Sequence, residues 1–150
     1  MDSHTDAYKV TWLTRRLFRA MSETADAYLQ DSGLTAADRA VMEFLYADEK
    51  LTVPAIARRY QVSRQHIQVT VNRLLEQGLV RSTYNPNHKR SPLYRLSELG
   101  REAFAEIRRN ESRLLETLFA DIQLADVATT RRTLEALLNK LSQSTIRTGS

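Results

Sequence analysis

A mainly α-helical fold carrying one β-hairpin is what this sequence predicts, and three observations predict it. Apolar residues recur at helical spacing in several separate stretches, Gly and Pro are scarce at 4 and 3 of 150 residues, and the clear strand-like segments, 79–84 and 93–96, flank a single Pro- and Asn-containing loop. A composition of 42% hydrophobic and 27% charged residues supports a sizeable core and argues against disorder. The length suits one compact domain, or a small domain with helical extensions that pack against a partner.

Taken in order, residues 7–30 form the first helix, with Val10, Leu13, Leu17, Met21, Ala25 and Tyr28 on the helical period. Asp31-Ser32-Gly33 ends it. Thr35 then caps a second helix, and Asp38 three residues on gives a capping-box-like placement of an acid near the positive helix end. Val41, Met42, Phe44 and Leu45 mark its inner face. Leu51 and Thr52 are candidates for a short extra strand. Thr52 also caps a short helix through Tyr60, in whose first turn Pro54 removes no intrahelical bond.

Residues 62–80, VSRQHIQVTVNRLLEQGLV, have a start and a stop of their own. Ser63 can accept a bond from a first-turn N–H, and Gly78 suits the left-handed position past the last turn. Ile67, Val71, Leu74 and Leu75 form the buried stripe, leaving Arg64, Gln65, His66, Gln68, Val69 and Arg73 largely outside it. The tight connection 60–63 makes a helix-turn-helix, with Gln61 where Gly is usual in such a turn. Bidentate Arg and Gln side chains read base edges in the major groove, and a helix fits that groove. With the capping Ser63, these residues are the candidate DNA contacts. Directly behind them the hairpin tip presents His88, Lys89 and Arg90, which can reach phosphates or the adjacent minor groove. The expected architecture of residues 35–97 is therefore a winged helix-turn-helix, a three-helix core with a β-hairpin wing.

Ser97 caps a long helix to about residue 120 with Leu99, Ala103, Phe104, Ile107, Leu114, Leu115, Leu118 and Phe119 on its apolar positions. A last helix, about 124–142, carries Val127, Leu134, Leu137, Leu138 and Leu141, and the polar tail after it is expected to fray. The small winged core cannot cover the stripes of segments 1–34 and 98–150. A second copy is the economical partner, so these segments are read as the dimerisation region of a homodimer.

Charge is gathered on the suspected binding segment. Residues 51–97 hold eight Lys or Arg against Glu76 alone, a net +7, which leaves −3 for the rest of a chain whose total is +4. The absence of cysteine excludes disulfides and thiolate chemistry, and His4, His66 and His88 lack metal-ligand spacing. With no phosphate loop, nucleophile elbow or paired carboxylates, no catalytic residue, metal or cofactor is expected, and the chain is not read as an enzyme. No apolar run approaches the ~20 residues of a membrane span. The N-terminal MDSHTDAYK lacks the order of a signal peptide, so a cytoplasmic location without a membrane partner is expected.

The element order and the string LTVPAIARRYQVSRQHIQVTVNRLLEQGLVRSTYNPNHKRSPLYRLSELG resemble the multiple-antibiotic-resistance regulator (MarR) family of bacterial transcription factors, over nearly the whole chain. The most specific parts are the recognition helix and the wing HKRSPLYRLSELG. Arg90 and Ser91 match the wing pattern, whereas His88 stands where the family usually has an Asp that braces a neighbouring Arg. The resemblance implies a homodimeric repressor or activator on a palindromic operator, whose affinity changes when a small molecule, often an aromatic acid, enters a cleft between dimer helices and winged domain. It carries a phosphate- or groove-contacting role onto Arg90. Trp12 with Arg16 one turn later is similar to a pair in the urate-responsive branch and could wall a site for an aromatic or other organic anion, without the supporting acid of that branch.

Each candidate also has a plainer reading. His66 can be an exposed helix residue, His88 a solvated turn residue, Lys89 and Arg90 surface charges, and Trp12 a dimer-interface residue beside a surface Arg16. The whole unit can also be a protein–protein interaction module without sequence-specific DNA binding.

Overall fold

The computed structural model describes residues 5–148, with side chains through residue 144, so His4 lies outside the described residues. The elements are α1 (Asp6–Ser32), α2 (Ala36–Asp48), α3 (Val53–Tyr60), α4 (Arg64–Glu76), β1 (Val80–Thr83), β2 (Leu93–Leu96), α5 (Glu98–Phe119) and α6 (Leu124–Thr148). The fold is mainly α, a winged helix-turn-helix with long terminal helices. The chain divides into two compact units, Met1–Glu111 and Ser112–Ser150, with the boundary inside α5.

In the first unit, α2, α3 and α4 meet over a core of Val41, Met42, Leu45, Ile56, Ile67, Val71 and Leu74, with Leu79, Val80, Tyr94 and Leu96 closing it from the hairpin and Phe104 and Ile107 from α5. The caps fall where the side-chain chemistry puts them. Thr35 and Asp38 complete a reciprocal capping box on α2, and Thr52 accepts from the Ala55 N–H with Pro54 in the first turn of α3. The hairpin pairs Val80 with Leu96 through Thr83 with Leu93, antiparallel. The extra strand expected at Leu51 and Thr52 is a single bridge, Leu51 to Tyr94, because Thr52 is already committed to capping α3.

Several boundaries differ from expectation. Helix α1 runs on through Asp31 and Ser32, where the Ser32 hydroxyl donates to the Leu29 carbonyl at 2.6 Å, and it ends at Gly33 with φ 72°. Helix α6 continues through the polar tail expected to fray, since polarity alone does not stop a helix and no Gly or Pro intervenes before Gly149. Leu99, assigned to the inner stripe of α5, is exposed, and Gly100 takes the inward position.

The stripe of α1 finds little cover. Leu29 alone is buried, while Trp12, Leu13, Leu17 and Phe18 are each more than half exposed. In the second unit no described residue is buried, and Leu124, Leu138 and Leu141 are exposed on α6.

Candidate nucleic-acid interface

The turn that sets α4 against α3 is made by Gln61, which adopts the left-handed conformation (φ 58°, ψ 43°) despite its Cβ. Its N–H and that of Val62 both donate to the Ala57 carbonyl, satisfying the end of α3. Ser63 follows in extended conformation, and its Oγ accepts from the His66 N–H at 3.1 Å, which leaves the hydroxyl proton free to donate outward.

Helix α4 is seated by Ile67, Thr70, Val71 and Leu74. Leu75, expected in this stripe, is only half-buried, and Thr70 takes its place. A Thr tolerates that burial because its hydroxyl donates to the His66 carbonyl at 3.1 Å. Arg64, Gln65, His66 and Val69 stand exposed on the opposite side, as the periodicity requires. Gln68 is half-buried, and its Nε2 donates to Asn72 Oδ1 at 2.9 Å one turn along, which brings in a residue that the spacing argument had not singled out.

The wing tip is built by Asn85, also missed from sequence because an Asn in a polar loop gives no sign of burial. Its amide Nδ2 donates to the Ser91 carbonyl at 2.9 Å and its Oδ1 accepts from the Asn87 N–H at 3.1 Å, while His88 N–H donates to the Asn85 carbonyl. This ring of bonds holds His88, Lys89 and Arg90 outward and exposed. Among the described residues no carboxylate pairs with Arg90.

Wing and helix converge. Arg64, Gln65 and Gln68 share one open cleft of about 340 Å³ with Arg90 and Ser91, and Val53, Pro54 and Tyr94 form its apolar floor. Two guanidinium groups, neither with a carboxylate partner among the described residues, and two amides thus line one concavity. Ser63, His66, Val69, His88 and Lys89 lie outside that lining, on the exposed surface around it.

Arg73, placed with the DNA contacts by its position on the polar face, stays partly exposed but turns its guanidinium onto groups of the protein itself. Its Nε and Nη2 both donate to Asp38 Oδ1, at 3.0 and 2.6 Å, and Nη2 also reaches Thr35 Oγ1 at 3.1 Å. The neighbouring Arg39 makes a two-pronged bond to Glu111 on α5, 2.5 and 2.7 Å, and an ion pair with Glu43. The bond to Glu111 raises the Arg39 guanidinium above its ordinary value, burial opposes that, and the charges of Glu111 and Glu43 add to the rise.

On α1, Arg16 lies with its guanidinium carbon 5.5 Å from the Trp12 ring centroid, and Arg15 and Arg19 flank them in one shallow, open depression. The sequence pairing of Trp12 and Arg16 is therefore a contact, on a surface of a single helix. Among the described residues no group of three or more His, Asp or Glu could hold a metal, and no helix is long and apolar enough to cross a membrane.

The comparisons agree with this geometry. Residues 32–91 match the model of the MarR family. Uncharacterised proteins of Mycobacterium tuberculosis and Mycobacterium bovis are 44% identical over 61 residues, a match spanning 41% of this chain and 43% of theirs. Among solved structures, a MarR family transcription regulator superposes with a TM-score of 0.87 at 24% identity, over 91% of both chains. A cysteine-to-serine mutant of Escherichia coli MarR complexed with operator DNA matches at 0.73 and 22% identity, over 94% of this chain and 99% of its own. Streptococcus pneumoniae FabT in complex with DNA matches at 0.81 and 13%, over 92% and 99%. At these identities the structures establish the fold, and the family match rests on the winged segment. The chain thus has the fold of solved MarR family transcription regulators, and its winged segment, residues 32–91, is similar to the MarR family.

Proposed function

We propose that this protein is a ligand-responsive, sequence-specific DNA-binding regulator, a repressor in the simplest reading, that binds a palindromic operator as a homodimer. The observation that carries the reading is the convergence of Arg64, Gln65 and Gln68 with the wing's Arg90 on one cleft, with both cations free of carboxylate partners among the described residues. Amides that present a donor and an acceptor suit base edges, unpaired cations suit phosphates, and the surrounding segment carries the +7 charge that attracts a polyanion. The solved complexes of Escherichia coli MarR with operator DNA and of FabT with DNA support this assignment.

Residues 35–97 are the DNA-binding domain in this proposal, with 1–34 and 98–150 the dimerisation region. The uncovered apolar residues of α1 and α6 support a second copy as the partner. Trp12 and Arg16 are the proposed contacts for an effector, an aromatic or other organic anion, and the protein works in the cytoplasm without catalysis, metal or cofactor.

Selection of duplexes from a random pool tests the proposal. Enrichment of an inverted repeat with half-site centres about 34–36 Å apart is the expected result. Retention of no sequence, with weak binding indifferent to salt, would overturn it and favour the protein–protein interaction module.

A further inference from the structure

Asp38 is fully buried, at 0% exposure, and its bonds exceed what a helix cap requires. The capping box uses one carboxylate oxygen, Oδ2, which accepts from the Thr35 N–H at 2.9 Å. The other oxygen takes two bonds from Arg73 in the last turn of α4, 35 residues away in sequence. Arg73 reaches the capping Thr35 hydroxyl as well, so its guanidinium grips both halves of the α2 cap. The rest of the seat of α4 is mainly apolar, through Ile67, Val71 and Leu74. Apolar contact is non-directional and leaves a helix some freedom to roll on its neighbours. A forked, charge-assisted bond has a fixed direction and removes that freedom.

We propose that Asp38 and Arg73 are a positioning pair that sets the roll of α4, and thereby aims Arg64, Gln65 and Gln68, while neither touches DNA. The inference rests on the DNA-binding reading above. Its magnitude is sufficient: a roll of about 20° moves a side-chain atom at a radius of ~5 Å by about 2 Å. Such a displacement breaks a hydrogen bond to a base edge, whereas a phosphate contact through a long flexible side chain survives it. Loss of the pair should therefore lower discrimination between sequences and spare general affinity for DNA.

The test uses the full chain, the duplex that wild type selects from a random pool, and a scrambled duplex of equal composition, with affinities measured against salt. Arg73→Lys keeps the charge and loses the fork. Asp38→Asn keeps an acceptor for the Thr35 N–H and loses the charge. Both should reduce the selected-to-scrambled affinity ratio at least tenfold, with binding to scrambled DNA and its salt dependence unchanged. If Arg73→Lys keeps the wild-type ratio while Arg73→Ala weakens both duplexes alike and lowers the salt slope by about one, Arg73 is a phosphate contact and the proposal is overturned. Should single variants fail to fold, the double variant Asp38→Leu with Arg73→Leu replaces the pair by apolar contact. A folded double variant that still discriminates as wild type also overturns it. A wild type that selects no sequence overturns the DNA reading and this role together, whereas equal selection by wild type and Arg73→Lys removes only the role of the pair.

Discussion

Gly100 lies so close to Leu79 that a Cβ on it would stand 2.0 Å from the Leu79 carbonyl oxygen. The same oxygen accepts the Ser97 N–H at 2.9 Å, and the Ser97 hydroxyl donates to the Gly78 carbonyl at 2.6 Å while accepting from the Gly100 N–H at 3.0 Å. The chain leaving α4 and the chain starting α5 are thereby joined at the base of the wing. Backbone cannot yield as a flexible side chain can, so Gly100→Ala should destabilise the fold by about 1–3 kcal/mol. Urea unfolding of the variant measures this, and an unchanged midpoint would contradict the close approach.

Asn85 should be the residue on which wing-tip order depends. Asn85→Ala removes the bond to the Ser91 carbonyl and leaves that acceptor to water, at a cost of about 1 kcal/mol confined to the hairpin. Amide exchange at Asn87, His88 and Ser91 should accelerate while amides of α4 stay protected. Equal acceleration in both places would mean that the loop is not a local unit.

The Arg39–Glu111 bond should respond to substitution without responding to alkaline pH. Glu111→Gln should cost about 1 kcal/mol, a value kept low because both side chains retain solvent contact. The Arg39 pKa is raised in the folded state, so its contribution is fully present below the ordinary guanidinium value and is lost only as pH rises through the still higher folded one. The stability difference between wild type and variant should therefore be the same at neutral and moderately alkaline pH. A difference that vanished on mild alkalinisation would assign the effect to another group.

Contacts to phosphate and to bases should separate by salt. Arg90→Ala should weaken binding to selected and scrambled duplexes alike and lower the salt slope by about one, since one fewer counterion is released. Gln65→Ala, which removes no charge, should cost about 1–3 kcal/mol on the selected duplex and little on the scrambled one. A Gln65 variant with full affinity and selectivity would remove α4 from the groove.

Self-association should depend on the uncovered face of α1. Leu17 and Phe18 are 58% and 73% exposed, and burying them against a second copy would be reversed by Leu17→Asp with Phe18→Asp. Sedimentation should give twice the chain mass for wild type and a lighter or unfolded species for the double variant. A wild-type monomer at micromolar concentration would defeat the homodimer.

By itself the sequence determined the local features. The hydroxyls of Thr35, Thr52, Ser63 and Ser97 marked helix starts, because a cap is a bond between residues three apart. Gly78 marked a left-handed end, and the periodicity around Ile67, Val71 and Leu74 exposed Arg64, Gln65 and His66 together. Only the tertiary structure decided which polar groups are free to meet a partner. Arg73 and Arg90 look alike as cations in a basic segment, yet one is locked to a buried Asp38 and the other stands on an open wing. Nor could periodicity reveal that Thr70 and Asn85 are buried, or that Gly100 is needed for contact with Leu79 rather than for a turn. Each of those facts depends on a group distant in sequence or on a loop folded over itself, and helical spacing reports only neighbours on one turn of one helix.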